Sequence, residues 1–149
     1  MTQTPNYYLN KFESTDALET TSRMGLNDNA DIIDGALTAL SEATTYSTTE
    51  QVIGTWIDGK PLYRKTINIG ALPDTTTKEI SHNIANISTI TKVYGFATTG
   101  QTFYPLPFVY DVTTKTIGLY ANVTKIFVWT GNDRSSFTGY VTLEYTKNG

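Results

Sequence analysis

The sequence has no cysteine and a single histidine, His82. Without cysteine the chain has no disulfide framework, no thiol chemistry and no thiolate metal site. With one histidine, multi-histidine metal sites are excluded, and a histidine-based catalytic dyad would have to include His82. We expect His82 to be a solvated or edge-strand residue, and we expect no catalytic residue, no metal site and no cofactor.

Charge is also scarce, and long apolar runs are missing. Charged residues make up 17% of the chain, and 11 basic against 14 acidic residues leave a net charge of −3. These charges form no basic stripe, so we expect neither nucleic acid nor anionic lipid as a partner. No apolar run approaches the roughly 20 residues of a membrane helix, and residues 1–10 lack the pattern of an export signal. We therefore expect a protein that is made in soluble form, with no membrane partner.

What the sequence does contain favours strands. Hydrophobic residues account for 39% and aromatic residues for 12%, which is enough to build a core, and Thr supplies about one residue in five. Thr is β-branched and suits the half-exposed surface of a sheet. At 149 residues the chain has room for one domain of ordinary size, preceded by a short extension.

One segment, residues 26–43, has the apolar spacing of a helix. Its apolar residues recur at intervals of four and three: Leu26, Ala30, Ile33, Leu37 and Leu40. Asn27 or Asp28 is a suitable N-cap. Residues 1–24, which precede this segment, are polar without a sustained period and are predicted to form an extended arm.

The same spacing fits a heptad repeat, with Ala30 and Leu37 at a and with Leu26, Ile33 and Leu40 at d. Leu at a with Ile at d favours three or four helices over two. The alternative is an amphipathic helix that packs on its own sheet, and Ile32 beside the seam widens the apolar face in the way that this alternative requires. About two heptads do not decide between these readings.

Residues 51–147 contain short strands separated by turn signals, which is typical of a β-sandwich or barrel. The predicted strands are 51–57, 61–69, 78–81, 87–96, 102–110, 116–120, 125–129 and 137–145. Asp58-Gly59 predicts a two-residue type I′ hairpin turn. Pro105 and Pro107 cannot donate to a ladder, so the segment around Tyr104 is predicted to be an edge, a bulge or a loop. The predicted domains are thus 1–48, an arm and helix, and 49–149, an antiparallel β-sandwich.

Two motifs resemble ligand-binding sites, but each lacks residues that the site requires. The run from Gly54 to Lys60 matches a phosphate-binding loop, but Pro61 stands where the hydroxyl residue belongs, and strand residues follow instead of a helix. The run from Asn27 to Asp31 resembles the start of a calcium loop, but it lacks the glycine at the sixth position and the bidentate glutamate at the twelfth. Helix capping explains that run better.

Aromatic side chains are the remaining resource for binding. Trp56, Trp129, Phe127 and Phe103 fall in strand patterns and are predicted to lie in the core. Tyr104, together with Asp133 and Arg134 of the loop that begins at Gly131, could stack on and hydrogen-bond a saccharide. The alternative is an ordinary hairpin loop beside a Tyr at the rim of the domain, because exposed aromatic residues also mark subunit interfaces.

Two stretches resemble a known group of proteins. Residues 49–87, which begin TEQVIGTWIDGKPLYRKTINIG, resemble a module of tail-fibre, baseplate and head-fibre proteins of phages that infect Gram-positive bacteria, and the strand at 139–147 fits that module. Residues 6–40, which include LNDNADIIDGAL, are similar to attachment segments in which a short helix bundles about a three-fold axis. The resemblance carries no catalytic motif.

The resemblance implies a virion structural protein that is not an enzyme. It implies a jelly-roll-like sandwich and a parallel homotrimer through the five heptad residues. It also implies attachment to other virion proteins through the N-terminal arm, contact with a saccharide on the host surface, and synthesis in the bacterial cytoplasm before assembly into the virion. The alternatives are a monomeric carbohydrate-binding module and, with less support, a hydrolase of envelope polysaccharide.

Overall fold

A computed structural model describes the backbone at residues 2–3, 10–11, 20–109 and 115–149, and the side chains at 25–109 and 115–149. The chain divides into two compact units, Met1–Thr45 and Tyr46–Gly149. The fold is mainly β, with antiparallel sheets and one N-terminal helix, as the composition and patterning predict.

The first unit contains the helix, α1, at Thr20–Thr44. Two short strands, β1 at Thr2–Gln3 and β2 at Asn10–Lys11, pair antiparallel. The predicted helix is confirmed, but it begins several residues before the predicted start. Asn27 and Asp28 therefore lie inside the helix, and the N-cap prediction is wrong. Asn or Asp in a helix interior costs only about half a kcal/mol relative to Ala, so these residues do not prevent the helix from extending past them. Most of the predicted arm lies outside the described residues.

The second unit contains the eight strands that the turn pattern predicts. They are β3 (Gln51–Thr55), β4 (Pro61–Ala71), β5 (Thr77–Ser81), β6 (Ile87–Thr98), β7 (Phe103–Leu106), β8 (Ile117–Ala121), β9 (Lys125–Thr130) and β10 (Thr138–Lys147). Their ends differ from the prediction by a few residues. The largest difference is β7, which stops before Pro107. β7 is an edge strand, and this position suits Pro105, which lies inside it and has no amide donor.

The strands form one sheet in the order β3-β4-β10-β6-β7 and another in the order β5-β9-β8. Every pairing is antiparallel. The pairing is nested: β4 pairs with β10 in the first sheet, and β5 pairs with β9 in the second. The central strand β10 is hydrogen-bonded on both sides, and its apolar residues Val141, Leu143 and Tyr145 are fully buried.

Side chains from both sheets meet in one core. Ile69 of β4 and Ala97 of β6 lie with Ile117 of β8 and with Ile126 and Val128 of β9. The core is mostly aliphatic, with buried Tyr145 and Phe137 as its aromatic members.

The prediction that the larger aromatic residues lie in the core is wrong. Trp56 and Phe127 are half-buried and are not among the core residues, and the other two are exposed. Phe103 is 65% exposed and Trp129 is 38% exposed, on the outer faces of the two sheets. Alternation explains the result, because the neighbouring strand positions, Tyr104 and Val128, are the ones that face the core.

The β3–β4 hairpin is confirmed, but its turn is longer than predicted. The amide of Trp56 donates to the carbonyl of Lys60 at 2.8 Å, and the amide of Gly59 donates to the carbonyl of Trp56 at 2.9 Å. Gly59 has a φ of 82°, whereas Asp58 keeps a negative φ and its carboxylate accepts from the amide of Lys60. This is a three-residue loop closed by a glycine in the left-handed region, not a type I′ turn.

Candidate functional site

A pocket of about 400 Å³ lies in the second unit. This volume is within the range of roughly 300–1,000 Å³ that is usual for small-molecule sites. The pocket is lined by Tyr104, Phe108, Lys115, Asn132 and Arg134. It therefore combines residues from strand β7, from the segment that leads into β8, and from the loop between β9 and β10.

Backbone hydrogen bonds fix the β9–β10 loop. The amide of Gly131 donates to the carbonyl of Thr116 at 3.0 Å, and the amide of Arg134 donates to the carbonyl of Pro73 at 3.2 Å. The carbonyl of Arg134 accepts from the amide of Phe137 at 2.9 Å. Across the pocket, Phe108 and Ile117 exchange two backbone hydrogen bonds of 2.9 and 2.8 Å. The lining side chains thus project from a hydrogen-bonded frame.

The apolar wall of the pocket is aromatic. The rings of Tyr104 and Phe108 meet edge to face with centroids 4.7 Å apart, and the ring of Phe137 lies 5.5 Å from that of Tyr104. The guanidinium carbon of Arg134 lies 5.4 Å from the Tyr104 ring centroid and 5.1 Å from that of Phe137. Each ring thereby attracts the cation and restricts where the guanidinium can lie.

Two polar atoms of the lining residues have no hydrogen-bond partner among the described residues. They are Oδ1 of Asn132 and Nε of Arg134, and both are buried. A buried donor or acceptor without a partner costs about 1–3 kcal/mol, so native structures usually satisfy such atoms with protein, water or ligand. Two residues of the pocket wall therefore each have one buried polar atom without a described partner, an acceptor in Asn132 and a donor in Arg134.

The structure brings together two of the three residues that the sequence suggests as ligand contacts. Tyr104 and Arg134 both line the pocket. Asp133 does not line it: its carboxylate accepts from the amide of Ser135 at 2.8 Å, and this backbone hydrogen bond holds the pKa of Asp133 below its ordinary value. Asp133 is therefore a turn residue and not part of the pocket wall.

Sequence reasoning missed Phe108 and Lys115, and it did not select Asn132 from within the loop that it suggested. Only the antiparallel bridge between Phe108 and Ile117 brings the segment after β7 beside the β9–β10 loop. Asn132 adjoins two selected residues, so its position in the loop was the only available signal. Within the described residues, the exposed tyrosines outside the pocket have protein neighbours; for example, Tyr120 stacks on Phe127 with ring centroids 4.6 Å apart.

His82 is not the solvated or edge-strand residue that the sequence predicts. It follows β5 and is 1% exposed. Its Nδ1 accepts from the amide of Ile84 at 3.1 Å, so the ring proton is on Nε2, which donates to the carbonyl of Asn122 at 3.1 Å. Burial lowers the pKa of His82, and the nearby charge of Lys65 acts in the same direction. His82 is a neutral structural residue that ties the end of β5 to the turn after β8.

The helix residues that the heptad pattern selects are largely exposed. The exposed fraction is 46% for Leu26, 51% for Ile33, 37% for Leu37 and 63% for Leu40, while Ala30 is half-buried. We call these five residues the apolar ridge. Their role as a trimer interface stays a prediction.

No protein-family model, curated protein or solved structure matches the chain. Among the described residues, no helix is both long and apolar enough to cross a membrane. Within the same residues, no three acidic or histidine side chains lie close enough together to hold a metal ion.

Proposed function

We propose that the chain is a non-enzymatic structural subunit of a bacteriophage virion, a trimeric appendage of the fibre, head-fibre or baseplate type. The subunit is attached to other virion proteins through its N-terminal segment and contacts a saccharide on the host surface. The observation that carries the proposal is the exposed apolar ridge of α1. The resemblance of residues 6–40 and 49–87 to phage appendage proteins supports the interpretation of the ridge as a trimer interface.

An exposed apolar ridge on a helix favours association. Burial of apolar surface is worth about 25 cal/mol per Å², and Leu26, Ile33 and Leu40 leave much of their surface in water in the single chain. In the heptad register the ridge faces a common axis, and Leu37 at a with Ile33 at d favours three helices or more. Closed three-fold symmetry would bury the ridge against two identical ridges.

The ridge is short compared with the helix. α1 has 25 residues, which is about 37 Å or three and a half heptads. The next a position upstream of the ridge is Arg23, and the next a position downstream is Thr44. The apolar seam therefore covers only the middle of α1, and we expect the trimer to dissociate on dilution.

The second unit suits a projecting domain. Two antiparallel sheets that share one core support a β-sandwich, and the nested pairs β4–β10 and β5–β9 are typical of a jelly roll. The candidate saccharide site is the pocket that contains Tyr104 and Arg134. Three copies of the pocket in one trimer would raise the avidity of a weak saccharide contact.

The ridge can be tested with a pair of neighbouring substitutions. Sedimentation of the native chain at micromolar concentration is expected to give a mass near three times that of the 16.5 kDa chain. Ile33→Asp places three carboxylates at the proposed axis and is expected to give a monomer, because buried like charges repel and are poorly solvated.

Ile32→Asp is the matched control. Ile32 is 68% exposed and occupies position c, which faces away from a coiled-coil axis, so this variant should remain a trimer. If the ridge instead packed on the sheets of its own chain, both variants would lower the stability of a monomer. A monomeric native chain, or equal dissociation of the two variants, would refute the proposal.

A second candidate is a monomeric carbohydrate-binding module. The pocket favours it, because the aromatic wall and the unsatisfied polar atoms lie within one chain. This candidate predicts saccharide binding by a monomer and no change when Ile33 is replaced by Asp, so the same sedimentation experiment separates the two.

A further inference from the structure

The charged side chains among the described lining residues of the pocket are all positive. Among the described residues, five line the pocket; two of these, Lys115 and Arg134, are cationic, and none of these five is acidic. The chain as a whole has a net charge of −3, so this local excess of positive charge runs against the composition. Asp133 is not one of these lining residues, and its carboxylate accepts a hydrogen bond from the amide of Ser135.

The described contacts of Arg134 provide no acceptor for its hydrogen-bond donors. Its cation–π contacts with Tyr104 and Phe137 engage the charge but none of the five N–H donors of the guanidinium. Its Nε is buried, and no described residue accepts a hydrogen bond from it. A planar guanidinium in this state suits the paired oxygens of a carboxylate or phosphate.

The remaining lining residues suit the uncharged part of a ligand. The rings of Tyr104 and Phe108 offer an aromatic surface for the C–H face of a sugar ring. The Oδ1 of Asn132 is an acceptor without a described partner, and because it is buried the side chain must rotate before a ligand hydroxyl can donate to it. The anionic end and the hydroxylated body would then occupy different sides of one pocket.

We propose that the pocket binds a small hydroxylated molecule, of the size of a monosaccharide, that carries a carboxylate or a phosphate, and that Arg134 binds this anionic group. The inference rests on the proposed function, because it names the chemistry of the host-surface ligand that the function requires. Carboxylate and phosphate share the recognition chemistry, so the experiment distinguishes them.

Three probes with the same sugar body separate charge from shape. D-glucose is neutral, D-glucuronate carries a carboxylate at the sixth carbon, and D-glucose 6-phosphate carries a phosphate there. Titration of the native chain is followed by NMR through the Nε–H signal of Arg134 and the amide signals of Asn132 and Arg134. At least one anionic probe should bind tenfold or more tightly than glucose, on the order expected for a charge-assisted hydrogen bond, and the tighter one identifies the anionic group.

Two variants test the named residues. Arg134→Gln should weaken the favoured anionic probe by about tenfold to a hundredfold. Asn132→Asp has nearly the same shape as the native residue and places a carboxylate beside Arg134, so it should weaken the probe similarly. Asn132→Asp carries the test if Arg134→Gln, which removes ring contacts, fails to fold.

Lys92→Gln is the control for net charge, because Lys92 lies over the ring of Tyr94 and not in the pocket. It should change the affinity less than about twofold, since an exposed charge at a distance is screened by salt. The inference is overturned if neither anionic probe binds more tightly than glucose, or if Arg134→Gln and Asn132→Asp bind the probes as the native chain does.

The titration is repeated with the Ile33→Asp variant, which separates the two proposals. Binding of an anionic probe by a monomeric chain would support the proposed ligand of the pocket, whatever the oligomeric state of the native chain. A native trimer that ignores all three probes would refute the pocket and leave the proposed assembly standing.

Discussion

His82 illustrates how much a single residue depends on its surroundings. The sequence predicts that this single histidine is solvated or lies on an edge strand. In the structure it is buried, and both of its ring nitrogens are hydrogen-bonded to backbone groups. These bonds require the neutral ring, because a protonated ring has no nitrogen left to accept from the amide of Ile84. Protonation must therefore act against the folded state.

Because the buried ring of His82 is neutral, we predict that the free energy of unfolding decreases at acidic pH. The pKa of His82 in the folded chain lies below its ordinary value of 6.5, so the unfolded chain binds more protons as the pH falls below 6.5. The free energy of unfolding should be highest above this pH and should decline between pH 7 and pH 5. Urea unfolding at several pH values measures the decline.

His82→Gln is the comparison for that measurement. Gln does not titrate, so the variant should be less stable at pH 7 by about 1–3 kcal/mol, with a flatter pH dependence between pH 7 and pH 5. Equal slopes in the two proteins would show that another group causes the decline.

At the scale of elements, Lys78 joins the two sheets of the second unit. Lys78 of β5 extends its Nζ to the carbonyls of Ile69 and Ala71 at the end of β4, at 2.7 Å each. Gly70 lies between these carbonyls with a φ of 64°, a conformation that glycine adopts readily. One side chain thus satisfies two backbone acceptors of the other sheet.

We predict that Lys78→Met destabilises the fold by about 1–2 kcal/mol. Met keeps the length of the side chain but cannot donate, so the two carbonyls lose a charge-assisted partner. The free energy of unfolding in urea provides the measurement.

Lys125→Met provides the matched control for Lys78, since Lys125 lies in the same sheet and pairs with Glu79 at 2.6 Å. Both partners are about half exposed, and surface pairs of this kind contribute less than about 1 kcal/mol. Equal losses in the two variants would rule out Lys78 as a tie between the sheets.

At the scale of the whole molecule, the two compact units differ in how much of their apolar surface is buried. Tyr46–Gly149 contains a buried apolar core from both of its sheets, whereas the described apolar ridge of Met1–Thr45 is largely exposed. A unit with its own core can fold alone, whereas a helix in a protein takes most of its stability from the packing of its apolar face against a partner.

We therefore predict that a fragment of residues 46–149 folds cooperatively and is a monomer. Its circular dichroism should show a β-sheet spectrum, and its midpoint of urea unfolding should be close to that of the same unit in the full chain. Sedimentation measures its mass. A trimeric fragment would place the association in the second unit and would contradict the role given to the ridge.

The sequence by itself determined the elements. Helical spacing predicted α1, and alternation broken by turn residues predicted all eight strands of the second unit, since these signals depend on the local geometry of the chain. For an equally local reason, its missing donor, proline predicted an edge, a bulge or a loop around Tyr104, and β7 is an edge strand.

Only the tertiary structure decided which distant residues share a site. Tyr104 and Arg134 are 30 positions apart, and they line one pocket because β7 lies at a sheet edge and backbone hydrogen bonds hold the β9–β10 loop beside it. Burial was equally non-local: Phe103 and Trp129 face outward and His82 faces inward because the packing of one sheet on the other selects the buried face. Local patterns state which residues share a face, but contact between sheets decides which face is covered.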